Sequence, residues 1–171
     1  MIQNHEIDYR IFGEEMQYVE VELDPQETVI AEPGAFMMMD DGIDMQTIFG
    51  DGSQQPSGGL LGKLLNAGKR VLVGENLFMT AFTNTAHGKK QVSFASPYPG
   101  KIIPLNLQLL GNRIICQKDA FLCAAKGVTV GIEFHKKLGA GLFGGGGFMM
   151  EQLEGEGMAF LPGGGTVMHK R

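Results

Sequence analysis

The chain has 171 residues, of which 43% are hydrophobic and 19% charged, a balance that excludes an intrinsically disordered protein. Its 14 Lys and Arg against 19 Asp and Glu give a formal net charge of −5. We therefore expect no nucleic-acid partner, because non-specific binding depends on neutralising phosphates. The 26 glycines exclude a helix bundle, since each interior glycine costs a helix about 1 kcal/mol, and they suit tight turns between strands.

Short alternating segments, separated by turn residues, follow one another along the chain. In residues 19–23 apolar side chains alternate with glutamates, the pattern of a half-buried strand, and Asp24-Pro25 is typical of the turn that follows. The turns recur about every 8 to 12 residues, as in sandwiches and barrels. Further strands are predicted at 28–31, 35–39, 77–83, 91–95, 113–116, 120–125, 128–134 and 148–153.

Two stretches of the chain repeat each other with their parts in the same order. Residues 28–37 and 113–122 each contain an apolar strand, a three-residue polar turn and then Ala-Phe with an apolar residue. Such an internal period is typical of a fold assembled from repeated units. Two later pairs of segments also match, 74–79 with 144–149 and 92–94 with 158–160.

The repeat predicts one all-β domain over residues 1–171 with little helix, a β-sandwich or double-stranded β-helix. It contains two similar units, at about 18–100 and 101–163. Residues 165–170 occupy the place of the opening strand of another unit. Either that strand closes the sheet, or the chain lacks a third unit.

Several of these glycine-rich segments resemble the altered-inheritance-of-mitochondria family of uncharacterised β proteins. The resemblance covers nearly the whole chain and is most specific between residues 58 and 80. The matching segments are Gly-Gly-Leu-Leu-Gly at 58–62, Lys69-Arg70, Gly-Glu-Asn-Leu-Phe-Met-Thr at 74–80, the G-x-G-x-x-F segment in 155–161 and the glycine turn at 163–167.

The resemblance implies a double-stranded β-helix-like fold similar to the tryptophan RNA-binding attenuation protein, without that protein's RNA or tryptophan binding. Members of the family generally continue for a further β unit, so this chain resembles a shortened member. The bacterial branch has no established activity and no assigned catalytic residues. The mitochondrial branch is associated with inner-membrane organisation, and its targeting segment is not found at this N-terminus.

Two glycine motifs fail as nucleotide sites. Residues 139–144 contain G-x-G-x-x-G, but a strand is predicted after them instead of a long helix, and position 164 is glycine where an acidic residue is needed. Gly62-Lys63 has Ser57 and Leu64 at the positions where a P-loop needs Gly and Ser or Thr. We expect no cofactor.

Histidines and cysteines are scattered in a way that predicts neither a metal site nor a nucleophile. His5, His87, His135 and His169 lie far apart in sequence, unlike clustered metal ligands. Cys116 and Cys123 lie in apolar runs, where a free cysteine usually acts as a small buried hydrophobe. With no secretory signal and no apolar run long enough for a membrane span, a reduced cytoplasmic protein is expected.

Two apolar-basic segments are the candidate partner-binding or interface regions. The first, residues 60–70, combines leucines with lysines and an arginine. In the second, apolar residues follow Lys136 and Lys137. Such segments can lie on an anionic membrane, but packing at a sandwich end or in an oligomer interface is favoured. The candidate residues are Leu60, Leu61, Lys63, Leu64, Lys69, Arg70, Leu142 and Phe143.

Adjacent methionines point to both faces of a strand, so residues 37–39 and 149–150 predict strands covered on both sides, by a second sheet and by another subunit or loop. The sequence favours a non-catalytic, homo-oligomeric β scaffold or binding module with a protein partner. One alternative is a peripheral membrane protein that uses residues 60–70. The other is a small-ligand binder or an enzyme with a pocket between its sheets.

Overall fold

The computed structural model describes residues 6–49, 78–117, 119–135, 148–165 and 167. Within those ranges thirteen strands and a 3₁₀ turn confirm the predicted all-β, sandwich-like fold. The strands at Asp8–Phe12, Ile43–Phe49, Gly100–Asn106 and Met158–Gly164 are not among those predicted from the sequence. The elements are β1 Asp8–Phe12, β2 Tyr18–Leu23, β3 Thr28–Ala31, β4 Phe36–Met39, β5 Ile43–Phe49, β6 Phe78–Asn84, β7 Lys90–Ala95, β8 Gly100–Asn106, the 3₁₀ turn Gln108–Leu110, β9 Arg113–Gln117, β10 Cys123–Ala125, β11 Thr129–His135, β12 Phe148–Glu154 and β13 Met158–Gly164.

The strands form three antiparallel sheets. The first has the order β1-β2-β7-β4, the second β5-β6-β3-β10-β13-β8 and the third β11-β12-β9. The six-stranded sheet lies between the other two, because its strands contribute to both apolar cores. Within β3, Ala31 belongs to the first core and Ile30 to the second, as expected when successive side chains point to opposite faces.

Each core fills the space between the central sheet and one outer sheet. Val19 and Val92 of the four-stranded sheet meet Phe82 of the central sheet in the first core. Val130 and Leu153 of the three-stranded sheet belong to the second core. All five side chains are at most 3% exposed, so both spaces are closely packed with apolar groups.

The same pairing pattern occurs twice along the chain. In the first half of the chain, neighbouring strands have the orders β2-β7-β4 and β5-β6-β3. In the second half, the corresponding orders are β8-β13-β10 and β11-β12-β9. This recurrence favours the division into two units. Strand β3 of the first unit pairs with β10 of the second, which makes the six-stranded sheet continuous across both.

The predicted opening strand at 165–170 falls mostly outside the described residues. Strand β13 ends at Gly164, Gly165 forms a bend with φ of 76°, and Val167 has no assigned strand. Whether this segment begins a further unit therefore stays a prediction.

Candidate interaction edges

Strand β4 is the outermost strand of the four-stranded sheet and carries an apolar, exposed sequence. Its one partner among the described strands is β7. All four side chains are exposed, at 39% for Phe36 and between 38% and 49% for the three methionines that follow. Natural edge strands usually carry charges or proline that prevent pairing with another chain, and β4 carries neither.

The rim of the first core is open beside β4. The ring of Phe36 stacks on buried Phe82 with centroids 5.4 Å apart, and Phe82 meets Phe94 edge to face at 5.2 Å. On the next strand Met45 lies opposite Phe82 in the β5–β6 ladder and is 47% exposed. Apolar surface therefore continues from the strand edge onto the end of the sandwich.

Strand β9 is the corresponding outer strand of the three-stranded sheet. Ile114 and Cys116 pack against the second core, whereas Ile115 on the opposite face is 41% exposed. The guanidinium of Arg113 donates a 2.9 Å hydrogen bond to Oε1 of Gln152. In the described part of the chain β12 is the one strand that pairs with β9, so its other edge faces outward.

The β3–β10 junction shows how two such edges join inside the molecule. Ala31 lies opposite Cys123 and Ile30 opposite Ala124. The N–H of Glu32 donates to the carbonyl oxygen of Leu122 at 3.1 Å, and a second 3.1 Å bond joins Lys126 N–H to the carbonyl oxygen of Thr28. By the alternation of antiparallel ladders, Ala31 and Cys123 form a non-hydrogen-bonded pair, whose side chains approach closely.

A group of carboxyls lies beside this junction. Burial, together with the charges of Glu151 and Asp119, raises the pKa of Glu32 to about 7. Glu151 is 1% exposed, and its Oε1 accepts the backbone N–H of Asp119 at 3.2 Å. Burial, and the charge of Glu151, also raise the pKa of the Cys116 thiol to about 11. A thiol with so high a pKa is mostly protonated near neutral pH and is therefore a weak nucleophile.

The outer face of the four-stranded sheet has a polar character. The ammonium of Lys89 lies 2.6 Å from a carboxylate oxygen of Glu22 and 3.6 Å from Asp8 and Asp24. An open hollow of about 240 Å³ lies nearby, between Arg10, Glu20 and their neighbours. Exposed ion pairs contribute little to stability, so we regard this face as solvated surface.

The eight candidate residues predicted from the sequence, all within 60–70 and 142–143, lie outside the described residues. Membrane association through 60–70 accordingly stays a prediction. Among the histidines, His87 lies exposed on the surface, and His135 is the last residue of β11. In the described ranges no group of three or more His, Cys, Asp or Glu side chains could hold a metal ion, and no helix is long and apolar enough to cross a membrane.

The cysteines only partly match the prediction that both are buried. Both thiols are free, and Cys123 is fully buried. Cys116 is half-buried instead, because β9 is the edge of its sheet. Consecutive apolar residues in the sequence predicted the strand β4. They did not indicate that this strand lies at the edge of its sheet.

Comparison with known proteins gives a family and a fold. The model of the family described as mitochondrial biogenesis AIM24 matches residues 9–171. Curated proteins yield no match. The crystal structure of protein SPYM3_0169 from Streptococcus pyogenes is similar, with a TM-score of 0.64 and 21% identity. The match covers 91% of this chain but 64% of that one, so this chain spans less than two thirds of its length.

Proposed function

Since the chain belongs to the AIM24 family, whose model matches it from residue 9 to residue 171, we propose that it is a non-catalytic β scaffold that works as a homo-oligomer. The observation that carries this proposal is the apolar edge strand β4, with four consecutive exposed side chains. An edge of this kind favours addition of another strand, since main-chain hydrogen bonds and apolar contacts form together.

The contents of the interlayer spaces support a scaffold over an enzyme with an inter-sheet pocket. Both spaces in the described structure are filled mainly by apolar side chains, and the buried carboxyl of Glu151 in the second one accepts the backbone N–H of Asp119. The buried amide of Asn84 also has structural partners: its Nδ2 donates to the carbonyl oxygens of Leu23 and Gly88, each at 2.8 Å. Acid–base chemistry needs polar groups that converge on a cavity, whereas the buried side chains of Asn84 and Glu151 bind backbone groups.

The test is the oligomeric state of the whole chain in solution. We expect light scattering coupled to gel filtration to give a mass of several chains. Met39→Lys or Ile115→Lys should shift the population towards smaller species, because each places a charge on an edge strand. Tyr98→Lys is the matched control, since Tyr98 is 72% exposed and belongs to the turn between β7 and β8, outside both edge strands.

A native chain that stays monomeric over the whole accessible concentration range would overturn the scaffold proposal. So would an oligomer whose mass responds to Tyr98→Lys as strongly as to the two edge variants. The first result would show that the exposed edges do not mediate assembly. The second would place the interface elsewhere.

A further inference from the structure

We propose that β9 of one copy pairs antiparallel with β4 of a second copy, in the register that joins β3 to β10 inside the chain. This inference rests on the proposed oligomer. Strand β9 holds the place in the second unit that β3 holds in the first, and β4 holds the place of β10. The chain therefore already contains one example of the contact. The outer edges of β4 and β9, which pair with no further strand in the described part of the chain, would form a second example between two copies.

The correspondence between residues follows from the repeat and the ladders. When Ala35-Phe36 is aligned with Ala120-Phe121, Met38 corresponds to Cys123 and Met39 corresponds to Ala124. The same alignment places Ala31 on Cys116.

Transferring the register of the internal junction gives a specific set of pairs. Because Ala31 lies opposite Cys123, Cys116 of one copy should lie opposite Met38 of the next. Ile115 should lie opposite Met39, as Ile30 lies opposite Ala124. The internal bond from Glu32 N–H to Leu122 predicts a bond from Gln117 N–H to the carbonyl oxygen of Met37 in the next copy. Likewise, the bond from Lys126 N–H to Thr28 predicts one from Asp41 N–H to the carbonyl oxygen of Arg113.

The irregularity in β4 is compatible with this pairing. The register of β4 against β7 shifts between Phe36 and Met38, at Met37. Leu122, which corresponds to Met37, donates its N–H to Phe160 and still accepts from Glu32 on the other side. By analogy, the shift in the β4–β7 pairing does not prevent the carbonyl oxygen of Met37 from accepting a hydrogen bond from a strand on the other side of β4.

Side-chain chemistry supports the same register. Ile115 and Met39 are 41% and 38% exposed, and pairing would bury both against each other. The alignment also places Arg113 opposite Asp41, two exposed side chains of opposite charge. Opposite charges directly across an antiparallel ladder are stabilising, whereas like charges in that place are destabilising.

The occupant is a second copy because each chain carries both complementary edges. A contact between different surfaces of identical chains is heterologous, and it generates a ring or an open filament. We therefore expect assemblies of three or more chains.

The experiment is disulfide cross-linking between Cys116 and an engineered cysteine at position 38. A non-hydrogen-bonded antiparallel pair brings side chains close enough for a disulfide, whose Cα atoms lie about 4.4–6.8 Å apart. We expect oxidation of Met38→Cys to give a non-reducing ladder of dimers, trimers and larger species. Mild alkaline conditions with a copper–phenanthroline oxidant offset the high pKa of the Cys116 thiol.

Three controls separate this register from other contacts. Met39→Cys should give no ladder, because its side chain lies on the opposite face from Cys116. Met38→Cys with Cys116→Ser can form at most dimers through position 38. Mixing that double variant with native chain, which has Cys116 but no cysteine at 38, should restore a mixed dimer.

The outcomes distinguish this inference from the proposed function. If light scattering shows an oligomer but Met38→Cys gives no ladder, or Met39→Cys cross-links equally well, the register is wrong while the scaffold stands. If the native chain is monomeric, both fail. A cross-link formed only within one chain would show that both residues already meet inside it, and would also overturn the inference.

Discussion

Replacing Glu32 with glutamine tests how the junction between the two units responds to pH. Glu32 directly follows β3, is half-buried, and bonds through its N–H to Leu122, which directly precedes β10 of the second unit. Burial, and then the charges of Glu151 and Asp119, raise the pKa of its carboxyl from 4.5 to about 7. Ionising this carboxyl in the folded chain is therefore unfavourable.

The sign and size of the effect follow from linkage. Between pH 4.5 and about 7 the folded chain binds more protons at Glu32 than the unfolded chain does, so stability decreases as pH rises through that window. The full shift corresponds to about 3 kcal/mol, at roughly 1.36 kcal/mol per pKa unit. Because the side chain is half-exposed and water screens its charge, we expect roughly 1–2 kcal/mol.

Urea unfolding of native chain and Glu32→Gln, at one protein concentration, measures this difference. At about pH 4, where the native carboxyl is neutral, we expect both proteins to have nearly the same free energy of unfolding. At about pH 8 the variant should be more stable by roughly 1–2 kcal/mol, since glutamine carries no charge.

Glu14→Gln, the same substitution at an exposed position, is the control and should have nearly the same free energy of unfolding as the native chain. An effect of Glu32→Gln that is equal at both pH values would refute the reasoning, because it would come from packing and not from ionisation.

Two further substitutions test individual structural contacts. Asn84→Ala should destabilise the chain by roughly 2–4 kcal/mol in urea unfolding, because it removes the hydrogen bonds that this buried amide donates to the carbonyl oxygens of Leu23 and Gly88. A loss under about 0.5 kcal/mol would contradict that role. Gly155→Ala should cost roughly 1–3 kcal/mol in thermal unfolding, since Gly155 has φ of +134° and a Cβ there would overlap the carbonyl oxygen of Gly127. An unchanged melting temperature would show that this turn can rearrange.

The candidate edges were only partly predictable from the sequence. Consecutive methionines at 37–39 indicated a strand that needs covering on both faces, and the structure shows all three exposed on β4. Which strands end a sheet depends on pairing between segments far apart in the chain. Cys116 illustrates the same point, because its apolar neighbours predicted burial while its position on the outer strand β9 leaves it half-buried.

The sequence predicted a repeat, but a residue-by-residue alignment of its two units needed the strand pairings. Phe94 matched Phe160 by residue type. In the structure Met38 pairs with Ser93, and Cys123, which corresponds to Met38, pairs with Phe160. The residue that corresponds to Phe160 is therefore Ser93, one position before Phe94. A shift of one residue in a strand exchanges its two faces, and similarity between short segments cannot detect it.

The sequence by itself determined the all-β class and the order of most strands, because alternation and turn chemistry act between near neighbours in the chain. Only the tertiary structure decided that β3 of one unit joins β10 of the other, and that β4 and β9 remain as outer strands in the described fold. Strand pairing is set by burial of whole faces against partners distant in sequence. Local patterns carry too little information to choose among those partners.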